Sequence, residues 1–208
     1  MKTNPFDIKA ADWDKRTRSQ EISAIFVNEL KNNIDQNSSI TAMEFGCGTG
    51  LAGMQLYSYF DQLYMLDNSL GMLNVLKEKI STEKAENIHT IFGDIFKLEI
   101  AKNQFDLIYT VMSFHHVENT EKLTSRFAEL LKPGGKLCIA DLESEDGSFH
   151  HDGDIPHFGF DTKKLEKLLN KYQLATEKSY RMHIIEKEDI NGNLREYPMF
   201  LLEAVKIR

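Results

Sequence analysis

The sequence predicts a doubly wound α/β sheet, on three observations. Strand-like and helix-like patterns alternate from residue 40 through Asp141, the order that builds a parallel sheet covered by helices. Phe105-Asp106-Leu107-Ile108-Tyr109-Thr110-Val111-Met112 is a nearly continuous apolar run of strand length, as suits a central strand buried on both faces. Between Ile40-Thr41-Ala42-Met43 and the helical spacing of Leu51 to Phe60 lies Gly46-Cys47-Gly48-Thr49-Gly50, a glycine-rich strand-to-helix turn.

Taken in order, the chain opens with an amphipathic helix from about Asp12 to Asn33, in which Ile22, Ile25, Phe26, Leu30 and Ile34 fall near helical spacing. A polar linker, Asp35 to Ser39, leads into the first strand and the glycine turn. Gln62 to Leu66 reads as the second strand, ended by Asp67. Asp67-Asn68-Ser69 supplies a cap for a helix from Leu70 to Ile80. Asn87 to Phe92 is a short strand broken by Gly93-Asp94. After the fourth strand, a helix is expected to end at Lys132-Pro133-Gly134-Gly135, with a strand starting at once and running through Ala140. Asp161 to Tyr172 reads as a helix capped by Asp161 or Thr162. Thr176 to Ile185 and Tyr197 to Ile207 read as strands joined around Asn191-Gly192-Asn193, an antiparallel hairpin on the sheet edge.

Composition bounds the function. The 208 residues suit one domain with a sizeable core, and 41% hydrophobic with 27% charged residues is ordinary for a soluble protein. No apolar run approaches the roughly 20 residues of a membrane helix, and the start, Met1 to Pro5, lacks a signal-peptide apolar region. The only cysteines, Cys47 and Cys138, do not suggest a disulfide framework, so a cytoplasmic location is expected. The net charge of −7 argues against a sequence-independent grip on nucleic acid.

The glycine turn carries the chemistry. Glycine reaches positive φ and lets a ligand touch backbone where a Cβ would block it. The turn also opens onto a helix N-terminus, whose free N–H groups hold anions. A dinucleotide fingerprint, G-x-G-x-x-G, needs glycine where Leu51 stands, and no lysine follows to make a P-loop. Asp67 lies about 20 residues downstream at a strand end, where an acid holds ribose hydroxyls. Right-handed crossovers place a ligand at the C-terminal strand ends, where Gly46, Asp67, Asp94 and Met112 sit.

Glu44-x-Gly46-x-Gly48-x-Gly50, Asp67-Asn68-Ser69-Leu70-Gly71-Met72-Leu73, Gly93-Asp94-Ile95, the apolar fourth strand and Lys132-Pro133-Gly134-Gly135, in this order over roughly residues 40 to 142, resemble the class I S-adenosylmethionine-dependent methyltransferases of small-molecule type. The resemblance implies a Rossmann-like seven-stranded mixed sheet with helices on both faces and an antiparallel C-terminal hairpin, the seventh strand beside the fifth. It implies S-adenosylmethionine as cofactor, with Glu44, Gly46, Cys47, Gly48 and Gly50 at the turn. Asp67 and Asn68 would then lie at the ribose, Met72 near the adenine, Asp94 at the adenine amino group, and Ile95 on the ring, with Met112 closing the fourth strand. An N-terminal aromatic such as Trp13 commonly folds over the cofactor in such proteins, and an aromatic face suits a sulfonium; Trp13 anchoring the first helix to the sheet is the alternative. The expected layout is a single domain over 1–208, with a cap helix at 1–35, a cofactor-binding core at 40–142, a substrate-side lid at 143–160 and a C-terminal helix and hairpin at 161–208.

A methyl on a sulfonium is already activated, so the protein chiefly aligns the reactants, excludes water and in some cases removes a proton. Histidines fill the two loops expected beside the methyl group. His115 and His116 follow the fourth strand and are candidate general bases, against a reading in which one orders the loop and the other caps the next helix. Residues 141–160 hold His150, His151 and His157 among acids and glycines. A substrate-pocket rim in which His150 and His157 converge over the methyl group, a His/Asp metal site, and a solvated lid hinged at Gly147, Gly153 and Gly159 are all compatible with that pattern. The catalytic candidates are His115, His116, His150 and His157, and no metal ligands are assigned. No Asp/Asn-Pro-Pro-Tyr/Phe run, cysteine cluster or Pro-Cys is present, which leaves a small-molecule acceptor. The expected function is in-line methyl transfer to such an acceptor by a monomer or homodimer, without nucleic acid or membrane span. A non-catalytic cofactor-binding or partner-regulating protein, and an oxidoreductase on a related sheet, are the alternatives.

Overall fold

The computed structural model describes residues 4–32, 34, 38–150, 155–189 and 191–207. Residues 35–37 of the polar linker, and His151 and Gly153 of the lid, therefore lie outside the described residues. The elements are α1 (Pro5–Lys9), α2 (Thr17–Lys31), β1 (Thr41–Phe45), α3 (Gly53–Leu56), β2 (Gln62–Asp67), α4 (Leu70–Glu83), β3 (Ile88–Phe92), β4 (Phe105–Val111), α5 (Thr120–Leu130), β5 (Leu131–Leu142), α6 (Thr162–Lys171), β6 (Leu174–Glu188) and β7 (Leu194–Lys206).

The strands form one seven-stranded sheet in the order β3-β2-β1-β4-β5-β7-β6. Pairing is parallel from β3 through β5 and antiparallel for β5–β7 and β6–β7. This is the Rossmann-like mixed sheet with a C-terminal hairpin that the sequence predicts. The register sets Glu44 between Met65 and Tyr109, and Phe45 between Leu66 and Thr110, so the C-terminal ends of β1, β2 and β4 lie side by side.

Alternation along the strands divides the core between two faces. Met43, Phe45, Ile108, Leu137 and Ile139 pack with Leu123 and Phe127 of α5 and with Leu165 and Leu169 of α6. Ala42, Leu63, Met65, Leu107 and Tyr109 pack with Phe26, Val27 and Leu30 of α2 and with Leu73 and Leu76 of α4. Helices thus cover both sides, which is why the central strands are apolar on both faces rather than alternating.

Three elements differ from expectation, the first being the N-terminal helix, where Ala10–Lys15 form a 3-10 helix and α2 begins only at Thr17. Helical spacing over Leu51 to Phe60 yields only α3 and a 3-10 turn at Tyr57–Tyr59. Asn87 Nδ2 donates to the carbonyls of both Tyr57 and Phe60 at 2.8 Å, drawing the chain out of the helix and back toward the sheet. At the third site, α5 stops at Leu130, ahead of Pro-Gly-Gly. Leu131 is already extended and pairs with Phe105, whereas the next paired residue, Lys136, faces Leu107, so the residues between bulge from the ladder. The residue before a proline avoids the helical region, which keeps Lys132 from prolonging α5.

Phe127 is fully buried and meets Phe45 edge-on, ring centroids 5.3 Å apart. Phe127→Ala is expected to lower unfolding stability by about 3–5 kcal/mol, through lost burial and the cavity left behind. Urea unfolding followed by far-UV circular dichroism measures it.

Candidate active site

The turn after β1 is built for close approach. Gly46 sits at φ 68°, and a Cβ there would lie 2.5 Å from the Cβ and Oγ of Ser113. Ser113 Oγ in turn donates to the Gly46 carbonyl at 3.0 Å, joining the loop after β4 to the loop after β1. Gly48, at φ 52°, is different: the nearest atom to a Cβ there is Met72 Sδ, 4.0 Å away. Packing explains the glycine at position 46, whereas position 48 leaves main chain open beside the crevice.

Asp67 closes the base of that crevice. Its Oδ2 accepts from Gly48 N at 2.7 Å and its Oδ1 from Ser69 N at 2.8 Å. Burial raises its pKa above the usual carboxylate value despite these backbone N–H groups. Ser69 caps α4 by accepting from Met72 N at 3.2 Å, so capping and the acid's inward position coexist in one tripeptide. Met72 is buried beneath Gly48. Asn68 is held from outside, its carbonyl and Oδ1 both accepting from Asn4 Nδ2.

The N-terminal segment straps this region. Asp7 Oδ1 accepts from Ser69 Oγ at 2.6 Å and from Gly71 N at 2.9 Å. Asp14 accepts from Thr49 Oγ1 at 2.5 Å and pairs with Lys79 at 2.5 Å. Phe6 stands edge-on to both Trp13 and His116, at centroid distances of 5.7 and 5.2 Å. Trp13 is half-buried in the 3-10 turn after α1, against Phe6 and beneath Arg16, and belongs to none of the core clusters among the described residues. Asp7 and Asp14 escaped sequence reasoning because their partners lie 62 and 35 residues away, and no local pattern marks them.

Other predicted residues are placed as follows. Asp94 is partly exposed; its Oδ1 accepts from Phe96 N at 3.0 Å and Lys97 stands 3.5 Å from Oδ2. Ile95 is buried, packed with the α5-side core. Met112 adopts φ 51°, uncommon for a side-chain-bearing residue, with its N–H donated to the Ala140 carbonyl at 2.9 Å. Cys47 is buried in the turn, and burial keeps its thiol well above the usual range. Glu44 is buried under the turn, accepts from Tyr109 Oη at 3.2 Å, and is pushed up to about 8 by desolvation.

Three of the four histidine candidates converge at the C-terminal ends of β4 and β5. His115 and His116 occupy a 3-10 turn at Phe114–His116, and one ligand atom from each of His115, His116 and His150 lies within 4.8 Å of the others. His115 Nδ1 donates to Asp141 Oδ1 at 2.6 Å, and its backbone N–H to Asp141 Oδ2 at 3.2 Å. Burial alone would raise Asp141, but the His115 contacts and the Leu142 N–H hold its carboxyl below the usual value. His116 is lowered to about 3 by desolvation and by its histidine neighbours. His157 stays apart: its Nε2 donates to the carbonyls of Val117 and Glu118, and its ring lies against Phe160. Neither His115 nor His116 caps α5, which is capped by Asn119 accepting from Lys122 N at 2.8 Å. Asp141, like Asp7 and Asp14, is a residue that sequence reasoning passed over. Its signal was an acid ending an otherwise apolar strand.

A shallow surface depression of about 400 Å³, between Lys102, Glu129, Lys171 and Lys206, is lined by none of these residues. No helix among the described residues is long and apolar enough to cross a membrane.

A doubly wound sheet with a glycine turn after β1 and an acid ending β2 is the arrangement on which α/β proteins commonly bind nucleosides. Residues 43–139 match the methyltransferase domain family model. An uncharacterized methyltransferase of Schizosaccharomyces pombe is 31% identical over 138 residues, which cover 62% of this chain and 49% of that protein. Among solved structures, a chain from the complex between the Haloferax volcanii Trm112 methyltransferase activator and the putative methyltransferase superposes with TM-score 0.82 at 14% identity, covering 100% of both chains. An S-adenosylmethionine-dependent methyltransferase from Aquifex aeolicus superposes with TM-score 0.71 at 17% identity, covering 97% of this chain and 98% of that one. Both structures speak to the fold alone. Over residues 43–139, just under half of its length, the chain is similar to methyltransferase domains. It spans about half the length of the first curated relatives it matches.

Glu44 yields a pH test. Its carboxyl stays protonated in the folded chain up to about pH 8, while the unfolded chain releases that proton near 4.5. Across that window the folded state binds more protons, so this group's contribution to stability is full below it and falls as pH rises. Glu44→Gln, which keeps an acceptor for Tyr109, is expected to flatten the decline in melting temperature between about pH 5 and 8 relative to wild type.

Proposed function

We propose that the protein is an S-adenosylmethionine-dependent methyltransferase acting on a small-molecule acceptor. The observation that carries the reading is the open backbone at Gly48, flanked by Met72 and by the carboxylate of Asp67, at the reversal point of the sheet. A nucleoside with an amino-acid tail fits such a place. The tail lies flush on glycine main chain, Asp67 and Asn68 reach the ribose, and Asp94 with Ile95 and Met72 flank the base.

When bound, the cofactor supplies an activated methyl on a cationic sulfur, which leaves as S-adenosylhomocysteine. The residues of the chain align and shield. Gly46, Cys47 and Gly50 shape the turn that holds the tail, with Glu44 fixing the strand beneath it. Phe6 and Trp13 of the strap offer aromatic faces near the α4 end of the crevice, and Met112 helps shape the end of β4.

The acceptor side is the histidine cluster. With Nδ1 of His115 donating its N–H to Asp141, Nε2 of the same ring faces His150 Nε2, 3.1 Å away. His115, His116 and His150 are the catalytic candidates that this geometry supports. His157, tied to the Val117 and Glu118 carbonyls, acts instead by positioning the lid. The charge of −7 favours a small acceptor over a nucleic acid.

Asp67→Ala is expected to weaken S-adenosylhomocysteine binding by about 1–3 kcal/mol in isothermal titration calorimetry, with ligand-free melting recorded beside it because Asp67 also holds Gly48 and Ser69. Unchanged affinity removes Asp67 from the site. His150→Ala is expected to lower turnover with affinity for S-adenosylhomocysteine intact. A panel of hydroxyl, amine, thiol and carbon acceptors with labelled cofactor tests the activity itself. Binding without transfer to any of them favours a non-catalytic binding protein.

A further inference from the structure

We propose that His115, His116 and His150 together hold one divalent cation of the imidazole-preferring kind, Zn²⁺ foremost, at the C-terminal ends of β4 and β5. The site stands on geometry and does not depend on methyl transfer, although it uses histidines placed above on the acceptor side.

Spacing is the first argument. Two imidazole nitrogens on a tetrahedral Zn²⁺, each about 2.0–2.1 Å from the ion, lie roughly 3.3–3.4 Å apart. The Nε2 atoms of His115 and His150 are 3.1 Å apart, close to that edge. The third ligand atom, from His116, is within 4.8 Å of both, so a small rotation of one half-buried ring completes the triangle. The three rings already converge, with centroids 4.1, 5.0 and 5.5 Å apart.

Orientation is the second argument. A metal-binding histidine characteristically donates its other ring N–H to a carboxylate, which fixes the tautomer and raises the basicity of the ligating nitrogen. Asp141 does this for His115 from a fully buried position and also holds the His115 backbone N–H. His150, on the lid, is positioned by its neighbour. The buried ring of Phe149 packs edge-on against Tyr197, the Phe149 N–H is donated to Glu145 at 3.2 Å, and its carbonyl accepts from Lys187. Phe6 and Phe149 stand edge-on to His116 and His150, giving the cluster an apolar border.

Chemistry is the third. Three imidazoles as the ligand set suit Zn²⁺, Co²⁺ or Ni²⁺ and disfavour Mg²⁺ or Ca²⁺, which take oxygen ligands. Three protein ligands leave a fourth position open, the arrangement of catalytic rather than structural zinc. That position is available to water or to the heteroatom of an acceptor.

The test uses the untagged full chain, stripped with chelator and dialysed against Zn²⁺, with bound metal read by elemental analysis and affinity by competition with a chromogenic chelator. Near one Zn²⁺ per chain is expected, and Co²⁺ is expected to give the visible absorption of a four-coordinate site. His150→Ala and His116→Ala, neither fully buried in the fold, are expected to lower Zn²⁺ affinity at least about tenfold. Asp141→Asn is expected to weaken it by about 10–100-fold. His183→Ala, on β6 and near Glu21 of α2, serves as control and is expected to change nothing. Circular dichroism confirms that each variant is folded. Absence of stoichiometric Zn²⁺, or equal binding by folded His150→Ala, overturns the proposal and leaves the cluster a hydrogen-bonded histidine relay.

Discussion

The reversal of strand order between β1 and β4 is the constraint on which everything else depends. From β1 the chain winds outward through β2 and β3, and from β4 it winds the other way toward β5. The crossover connections therefore diverge, and a crevice opens at the C-terminal ends of β1 and β4. Ser113 and Gly46 pin the two loops together across that gap, at a contact that tolerates no side chain at position 46. Asp67, at the end of β2, then holds the glycine turn through Oδ2 and the cap of α4 through Oδ1. The crevice is thus a product of topology, made rigid by short polar contacts.

Acidic side chains organise the outside of the crevice. Asp7 and Asp14 both reach across from the N-terminal segment, one to the start of α4 and the other to Thr49 and Lys79. Asp7 accepts from backbone at the N-terminal end of a helix, where the macrodipole favours negative charge. The Asp7 carboxyl is held below its usual value, first by the Ser69 hydroxyl and then by Gly71 N–H. The strap consequently covers the crevice through specific polar contacts, and Phe6 on His116 links it to the histidine side.

The histidine cluster brings together residues from loops 35 positions apart in the chain. Its most protected member, His115, is fully buried and bonded to a buried acid, so its orientation is fixed. A fully buried carboxylate costs desolvation that only good hydrogen-bond geometry offsets. Here the Asp141 carboxylate accepts from the His115 ring, from the His115 backbone and from Leu142 N–H at 2.8 Å. A fold that keeps such a group inside places it for chemistry more readily than for stability.

Read as a string, the chain determined its sheet, the glycine turn, Asp67 and the edge hairpin, because each rests on local periodicity or on a turn that only glycine accommodates. The run from Phe105 to Met112 marks a central strand by its apolar continuity, with no knowledge of its neighbours required. What tertiary structure decided was companionship. Asp141 became the partner of His115, His157 left the cluster for the Val117 and Glu118 carbonyls, and Glu44 was sealed beneath the turn beside Tyr109. Periodicity encodes which face a residue takes, whereas the distance between two side chains from remote loops depends on crossover paths and packing that no local pattern records.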